Sequence, residues 1–353
     1  MTTNLGMPAP LAGEATGALV DSYGRVHRDL RVSVTDRCNL RCTYCMPEAH
    51  YVWLPKPSLL TFEETERLVR AFVAAGVRKV RITGGEPLLR RELPGLVARL
   101  AAVPGLEDLA LTTNATRLAA MAPALRAAGL QRLTISLDTL EPARLVAHAK
   151  SHEHAAVLDG IAAAAAAGFA GTKVNAVVIR GFNDDELVPL LSFAIARGLE
   201  MRFIEYMDVG GATQWSADAV VSCDEMLARL GAHFGAITPV PRDGDPSAPA
   251  ERFRLADGTV FGIIASTTRP FCRDCDRARL TADGSFFTCL YGTAGADLRD
   301  RMRLGATDAE LVTAIADTWK QRSDRGAEHR AQLARRTAQR GVALHREMHV
   351  LGG

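Results

Sequence analysis

The chain repeats one rhythm between residues 30 and 207. Short strand-like runs of apolar and β-branched residues alternate with longer stretches whose apolar positions follow helical spacing. The strand-like runs are LRVSVT (30–35), VRKVRIT (77–83), EDLALTT (107–113), QRLTISL (131–137), TKVNAVVI (172–179) and EMRFIEYM (200–207). Helical patterns fill 61–76, 89–102, 117–128, 155–167 and 185–197. In the first of these, Thr61 and Glu64 predict a capping box and Gly76 a stop. The alanine run at 162–167 suits a helix packed closely on a sheet. Repeated βα units predict an α/β fold with a parallel sheet and helices outside. Six strands are too few for the usual closed eight-stranded barrel, so an open barrel and a doubly wound sheet both fit.

The pattern breaks at PVPRDGDPSAPA (239–250), a Pro-, Asp- and Gly-rich boundary. This divides the chain into an extension (1–29), the βα region (30–240) and a C-terminal region (241–353). Short strands follow at 251–255 and 259–266. Asp283-Gly284 predicts a two-residue hairpin turn. That turn sets Ala282 opposite Ser285 and Ala278 opposite Cys289. Arg277 and Arg279 then share a face that does not carry Cys289. The segment from Trp319 to Gly353 carries eight basic and three acidic residues and reads as a solvated surface helix.

Composition changes this picture little. The formal net charge is +2, and 48% of residues are hydrophobic. No global field calls for a nucleic acid partner. No apolar run reaches the ~18–20 residues that span a bilayer. The first twenty residues lack a signal-peptide pattern, so a cytoplasmic protein is expected. Only five of the 42 basic residues are lysine, which draws attention to Lys173.

The seven cysteines change more. Cys38, Cys42 and Cys45 form C-x3-C-x2-C directly after strand 30–35. The C-terminal rim of a parallel sheet is where ligands bind in such folds. Three thiolates hold a 4Fe–4S cluster with one iron left open. Cys272, Cys275 and Cys289 form C-x2-C-x13-C and repeat the device. With Arg277 and Arg279 beside it, the second site suits an anionic ligand that also offers a heteroatom to iron. A zinc site built from Cys42, Cys45, Cys272 and Cys275 would strand Cys38 and Cys289. Cys223 stands alone and is expected to be a buried structural thiol. The glycines of TGGEP (83–87) allow a ligand close to the backbone at a strand end, and Ser136 ends strand 131–137 on the same rim.

C-x3-C-x2-C with Tyr44 before its last cysteine resembles the signature of the radical S-adenosylmethionine (SAM) enzymes. The segments RVSVTDRCNLRCTYCMP, RITGGEPLLRREL, RFIEYMDVG and CDRARLTADG resemble the GTP 3′,8-cyclases of molybdenum cofactor biosynthesis, the MoaA family, from about Asp29 to the final Gly-Gly. The resemblance implies a partial (β/α)6 TIM-like barrel with a C-terminal α+β region carrying a second Fe–S cluster. It implies two 4Fe–4S clusters and SAM, and conversion of GTP to 3′,8-cyclo-7,8-dihydro-GTP. Tyr44, Gly85, Ser136 and Met207 fall on the family's SAM positions. Arg31, Arg81, Thr112, Lys173, Arg277 and Arg279 fall on its GTP positions. Gly352 and Gly353 correspond to a tail that reaches the active site. A reductant protein, a downstream pyranopterin-forming enzyme and a homodimer are the implied partners. Two departures stand out. Ala115 replaces the family's usual glycine, and HAKSHEH (148–154) replaces a segment that usually carries arginine. His148, His152 and His154 are expected at the surface of a polar helix. The competing classes are another radical SAM enzyme with an auxiliary cluster, such as a peptide modifier, and a zinc-dependent nucleic-acid-binding protein.

Overall fold

Alternation along each strand divides the sheet into two unlike faces. Leu30, Val32, Val80, Ile82, Leu111, Ile135, Val174 and Phe203 point into one apolar core with the helices. The residues between them are mostly polar or charged and line a single cavity. The computed structural model describes residues 18–48, 50–209, 215–242, 246–330 and 347–352.

Six βα units come first: β1 (Asp29–Ser33), α1 (Phe62–Ala74), β2 (Lys79–Thr83), α2 (Leu93–Ala101), β3 (Asp108–Thr113), α3 (Leu118–Ala127), β4 (Arg132–Ser136), α4 (Pro142–Ala149), α5 (His154–Ala166), β5 (Lys173–Val178), α6 (Leu187–Ile195) and β6 (Glu200–Glu205). The capping box forms as expected: Thr61 Oγ1 accepts the Glu64 N–H at 3.1 Å, and Glu64 Oε2 accepts the Thr61 N–H at 2.8 Å. After β6 come α7 (Cys223–Phe234), β7 (Ile237–Val240), β8 (Glu251–Leu255), β9 (Val260–Ile264), β10 (Arg277–Leu280), β11 (Ser285–Phe287), β12 (Ala296–Asp297), α8 (Leu298–Arg303), α9 (Asp308–Lys320) and a last helical turn, α10 (Met348–Leu351).

The strands form one sheet in the order β12-β11-β10-β1-β2-β3-β4-β5-β6-β9-β8-β7. β10 lies parallel to β1, and β9 lies parallel to β6. The C-terminal region therefore extends the parallel sheet at both edges, beyond the six strands of the βα pattern. Cavity-lining residues come from β1 through β6 and from β9 and β10, so the sheet curls around one space. This is the partial-barrel architecture. Among the described residues, no helix is long and apolar enough to cross a membrane.

Four expectations are corrected. The 281–285 hairpin has a three-residue loop, with Thr281 N–H bonded to Ser285 O at 2.9 Å and Gly284 at φ +81°. Arg279 pairs with Phe287 and Leu280 with Phe286, one residue off the expected register. A one-residue slip reverses a strand's faces. It brings Cys289 onto the face of Arg277 and Arg279.

The histidine segment is not wholly at the surface. His152 is exposed, but His148 and His154 are buried because an additional helix, α4, folds it inward. The His148 ring stacks on Phe182 at 4.4 Å. The Trp319 segment is not a solvated helix over its described part. Trp319, Arg322, His349 and Leu351 are buried, with Trp319 stacked on His27 at 4.4 Å. Residues 331–346 lie outside the described residues. The alanine run of α5 turns largely outward, with Ala164 buried and Ala162, Ala165 and Ala166 exposed. Cys223 is buried at the start of α7, as expected.

Candidate active site

Strand register assembles the charges of the cavity. Arg279, Arg31 and Arg81 lie side by side on β10, β1 and β2. One row below, Arg277, Asp29 and Lys79 do the same. Across the sheet, Thr112, Thr134 and Lys173 share a row, and Asn175 lies beside Arg202. The cavity has a volume of about 310 Å³. Among the described residues, its lining includes eight cationic side chains (Arg31, Lys79, Arg81, Arg132, Lys173, Arg202, Arg277, Arg279) and two acidic ones, Asp29 and Glu205.

Neighbouring strands stand ~4.8 Å apart, so like charges in one row repel strongly. Burial, reinforced by Arg279, Arg277 and Arg81, holds the Arg31 guanidinium well below the usual arginine range. Burial and Arg277 bring Arg279 down to about 10. Burial, then Arg202, brings Lys173 down to about 8. Some of the charge is matched locally. Arg132 bonds Asp108, and Arg202 bonds Glu200 at 2.7 Å. Arg81 donates to Thr134 Oγ1 at 3.0 Å and Thr112 Oγ1 at 3.3 Å. Nε of Arg31 and Nε of Arg277 are buried with no hydrogen-bond partner among the described residues. Buried donors without partners are rare in native proteins. A polyanion would satisfy both the repulsion and the orphaned donors.

The first cysteine group sits in the loop after β1. The Leu40 N–H points at Cys38 Sγ (3.4 Å), and the His349 N–H faces Cys45. Burial raises all three thiols: Cys38 to about 11, with Glu86 adding to it, and Cys42 and Cys45, with the neighbouring thiols and Asp138 adding to it. Thiols gathered this way favour a cationic metal centre that stabilises them as thiolates. Tyr44 lines the cavity and donates to Asp138 Oδ2 at 2.8 Å. Ligand atoms of Cys42, Asp138 and His148 lie within 4.8 Å of one another. His148 Nδ1 meets the Thr43 hydroxyl at 2.8 Å, so the buried histidine supports this loop from below.

The glycines of TGGEP approach the chain itself. Gly84 and Gly85 press on the backbone of Thr35–Arg37, where a Cβ at Gly84 would stand 2.6 Å from Thr35 O. Gly85 N–H bonds Thr35 O at 2.8 Å. Gly85 and Ser136 are not in the cavity lining, whereas Met207 is. Glu86 is buried and accepts from Thr113 Oγ1 (2.7 Å), Asn114 N–H (2.7 Å) and Leu88 N–H (2.9 Å); burial raises it to about 7. It ties the β2 end to the β3 end.

Cys272, Cys275 and Cys289 all line the cavity. Arg277 Nη2 lies 3.4 Å from Cys275 Sγ. Burial pushes the Cys275 thiol up, yet Arg277 and Arg322 outweigh it and bring it down to about 7. The last helical turn crosses the rim. Arg279 Nη1 donates to Gly352 O at 2.6 Å and Leu351 O at 3.2 Å. Gly352, at φ +68°, packs on Thr83 and Ser33. Gly353 lies outside the described residues.

Sequence reasoning missed Lys79, Arg132, Asn175, Arg202 and Met348 in the lining. Strand parity would have found Lys79, two residues from Arg81. Met348 carries no local signal.

Residues 32–194 match the Radical SAM superfamily, and residues 199–328 match Molybdenum Cofactor Synthesis C. A Mycobacterium tuberculosis protein named GTP 3′,8-cyclase 3 is 52% identical over 94% of this chain and 90% of its own length. An Acidothermus cellulolyticus protein named GTP 3′,8-cyclase is 52% identical over 90% of each chain. Among solved structures, Streptococcus suis SuiB bound to S-adenosylmethionine has the same fold, with a TM-score of 0.59 at 16% identity, over 87% of this chain and 69% of its own.

Proposed function

The chain belongs to the GTP 3′,8-cyclase family of radical SAM enzymes, and on that premise we propose that its cavity joins carbon 3′ of the GTP ribose to carbon 8 of guanine, yielding 3′,8-cyclo-7,8-dihydro-GTP, the first step of molybdenum cofactor biosynthesis. The observation that carries this reading is the cavity's charge: among the described residues, eight cations against two acids, with the second cysteine group in the same wall.

Membership of the radical SAM superfamily brings a 4Fe–4S cluster and SAM. Cys38, Cys42 and Cys45 would hold that cluster, with Tyr44, Gly85, Ser136 and Met207 around SAM. Bound there, the cluster and SAM would together supply the one-electron chemistry for hydrogen abstraction. Cys272, Cys275 and Cys289 would hold a second 4Fe–4S cluster that receives the guanine. Arg31, Arg81, Arg277, Arg279 and Lys173 neutralise the triphosphate, with Thr112 orienting it. Arginine suits this role because its planar fork gives bidentate contacts to phosphate. Gly352 reaches the rim beside Arg279 with no side chain to block the cavity. Together the curled sheet and the tail orient the nucleotide and exclude water from the reacting carbons.

The reading makes residues 1–29 an extension, 30–240 the SAM-handling part and 241–353 the part that adds the second cluster. It calls for a one-electron reductant and for a downstream enzyme that rearranges the product to a pyranopterin.

The test is anaerobic incubation of reconstituted enzyme with GTP, SAM and titanium(III) citrate. Equal amounts of 5′-deoxyadenosine and cyclised nucleotide are expected. Formation of 5′-deoxyadenosine with no cyclised nucleotide would refute the cyclase reading and leave the radical SAM fold in place.

A further inference from the structure

Outside the cavity, a dense set of buried charges lies behind the second cysteine group. Val20 pairs with Val26 around a tight turn, with Gly24 at φ +77°. The turn brings Asp21 onto Arg25. Asp21 Oδ2 meets Arg25 Nε at 2.5 Å, and Oδ1 accepts the N–H groups of Tyr23 (2.9 Å) and Arg25 (3.0 Å). Arg322, just beyond α9, places Nη1 3.5 Å from the same carboxylate. The three side chains are sealed from water, with exposures of 2% for Arg25, 0% for Asp21 and 1% for Arg322.

Two guanidiniums sharing one carboxylate leave an excess positive charge in the interior. Such a charge is costly unless other dipoles compensate it. Here backbone carbonyls on both sides of the second cysteine group compensate it. Arg322 Nη1 donates to Cys275 O at 2.7 Å, and Arg25 Nη1 donates to Cys272 O at 2.8 Å and Asp324 O at 2.7 Å. The two arginines therefore grip both ends of the Cys272–Cys275 turn. The loop that follows Arg322 returns over the sulfurs. The N–H groups of Ala327 and Glu328 face Cys272, and that of Gly326 faces Cys289. Gly326 fits because it has no side chain: a Cβ there would stand 2.5 Å from that of Tyr291. Trp319 braces the arrangement, with Nε1 donating to Arg25 O at 3.1 Å and its ring 4.4 Å from the Arg322 guanidinium. Ser22 Oγ donates to Arg322 O at 2.6 Å.

Neither Arg25 nor Arg322 touches a thiol. They fix the peptides that carry the thiols, and they add positive charge where a cluster gains an electron. Hydrogen bonds to cluster sulfurs, net charge and solvent exposure set the potential of an Fe–S centre. We propose that Asp21, Arg25 and Arg322 form a positioning clamp for the second Fe–S cluster, locking the Cys272–Cys275 turn and the 322–328 loop around it and raising its reduction potential. This rests on the reading of Cys272, Cys275 and Cys289 as a cluster site.

The test compares Arg322→Met and Arg322→Lys with wild type as full-length, anaerobically reconstituted enzymes. Iron per chain, iron loss to a chelator and a potentiometric EPR titration of the GTP-responsive signal are measured. In Arg322→Met the reduced-to-oxidised ratio at fixed potential should fall about tenfold, a midpoint about 59 mV lower for a one-electron couple, and iron should be lost faster. Arg322→Lys keeps the charge, so its midpoint should stay near wild type. Its ammonium lacks the guanidinium fork, so iron should still leave faster. A wild-type midpoint together with wild-type iron retention in Arg322→Met overturns the proposal. If that variant does not fold, wild-type iron retention in Arg322→Lys does so. A wild-type enzyme holding a single cluster's iron overturns the second-cluster reading and the clamp with it, and the wild-type iron count alone identifies that case.

Discussion

Lys173 has to carry a charge in a place that disfavours charge. It is half-buried at the start of β5, and burial with Arg202 lowers it to about 8. GTP would hold its proton on. Nucleotide affinity should therefore fall as pH rises through about 8, because the free enzyme gives up a proton that binding needs. Folding stability should move the other way. The unfolded chain binds more protons than the folded one between about 8 and the ordinary lysine range, so stability gains with pH across that window. Calorimetric GTP binding from pH 7 to 9.5 checks the first sign and urea melts the second. Lys173→Met should bind GTP at least tenfold more weakly at pH 7 and flatten the affinity profile. An unchanged profile in that variant would remove Lys173 from the nucleotide site. At this scale the cysteines were legible, because a fixed short spacing is a local property. His148 was not. A histidine in a polar-looking segment becomes a buried neighbour of Tyr44 only because α4 turns inward, with the rings 5.2 Å apart.

One residue in the β10–β11 hairpin decides which face carries Cys289. The Asp283-Gly284 pair signalled a turn, and a turn is there. Its length differs because Gly284 adopts φ +81° and joins Ala282 and Asp283 in a three-residue loop. A Cβ at Gly284 would also stand 2.5 Å from that of Arg299. Gly284→Ala should therefore cost about 1–3 kcal/mol, from left-handed strain plus the forced shift. It should also weaken iron retention at the second cysteine group. Denaturant melts and iron analysis test this, and a neutral variant with full iron would show that the loop does not hold the register. The contact of α5 with the turn before α3 offers a comparison away from the second cysteine group. Gly160 passes Ala115 so closely that a Cβ would lie 2.5 Å from its carbonyl oxygen. Gly160→Ala should cost a similar ~1–3 kcal/mol and leave iron retention at the second cysteine group unchanged.

The parallel sheet is completed by strands from the far end of the chain. β10 covers the outer edge of β1 and β9 that of β6. The division near residue 240 is thus not a break in the sheet. A fragment of residues 1–240 should expose two parallel edges and the apolar residues around them. It should fail to give a monodisperse monomer on size exclusion, whereas the full chain should melt in one transition. A stable, monomeric fragment would show that the C-terminal strands add nothing to folding. Separate transitions would point the same way.

What the amino-acid order determined by itself was everything set within a few residues: the strand and helix rhythm, the capping box at Thr61, the two three-cysteine groups and the arginines beside the second. These follow from the periods of two and 3.6 and from the reach of one loop. The tertiary structure alone decided which strands lie beside β1 and β6. It also decided that eight cations of the described residues face one cavity, that the turn at Gly284 takes three residues, and that Arg25 and Arg322 meet on Asp21 behind Cys272 and Cys275. Partners some 300 positions apart leave no local trace, because their contact is enforced by the shared core and by the backbone hydrogen bonds of the sheet rather than by their neighbours in the chain.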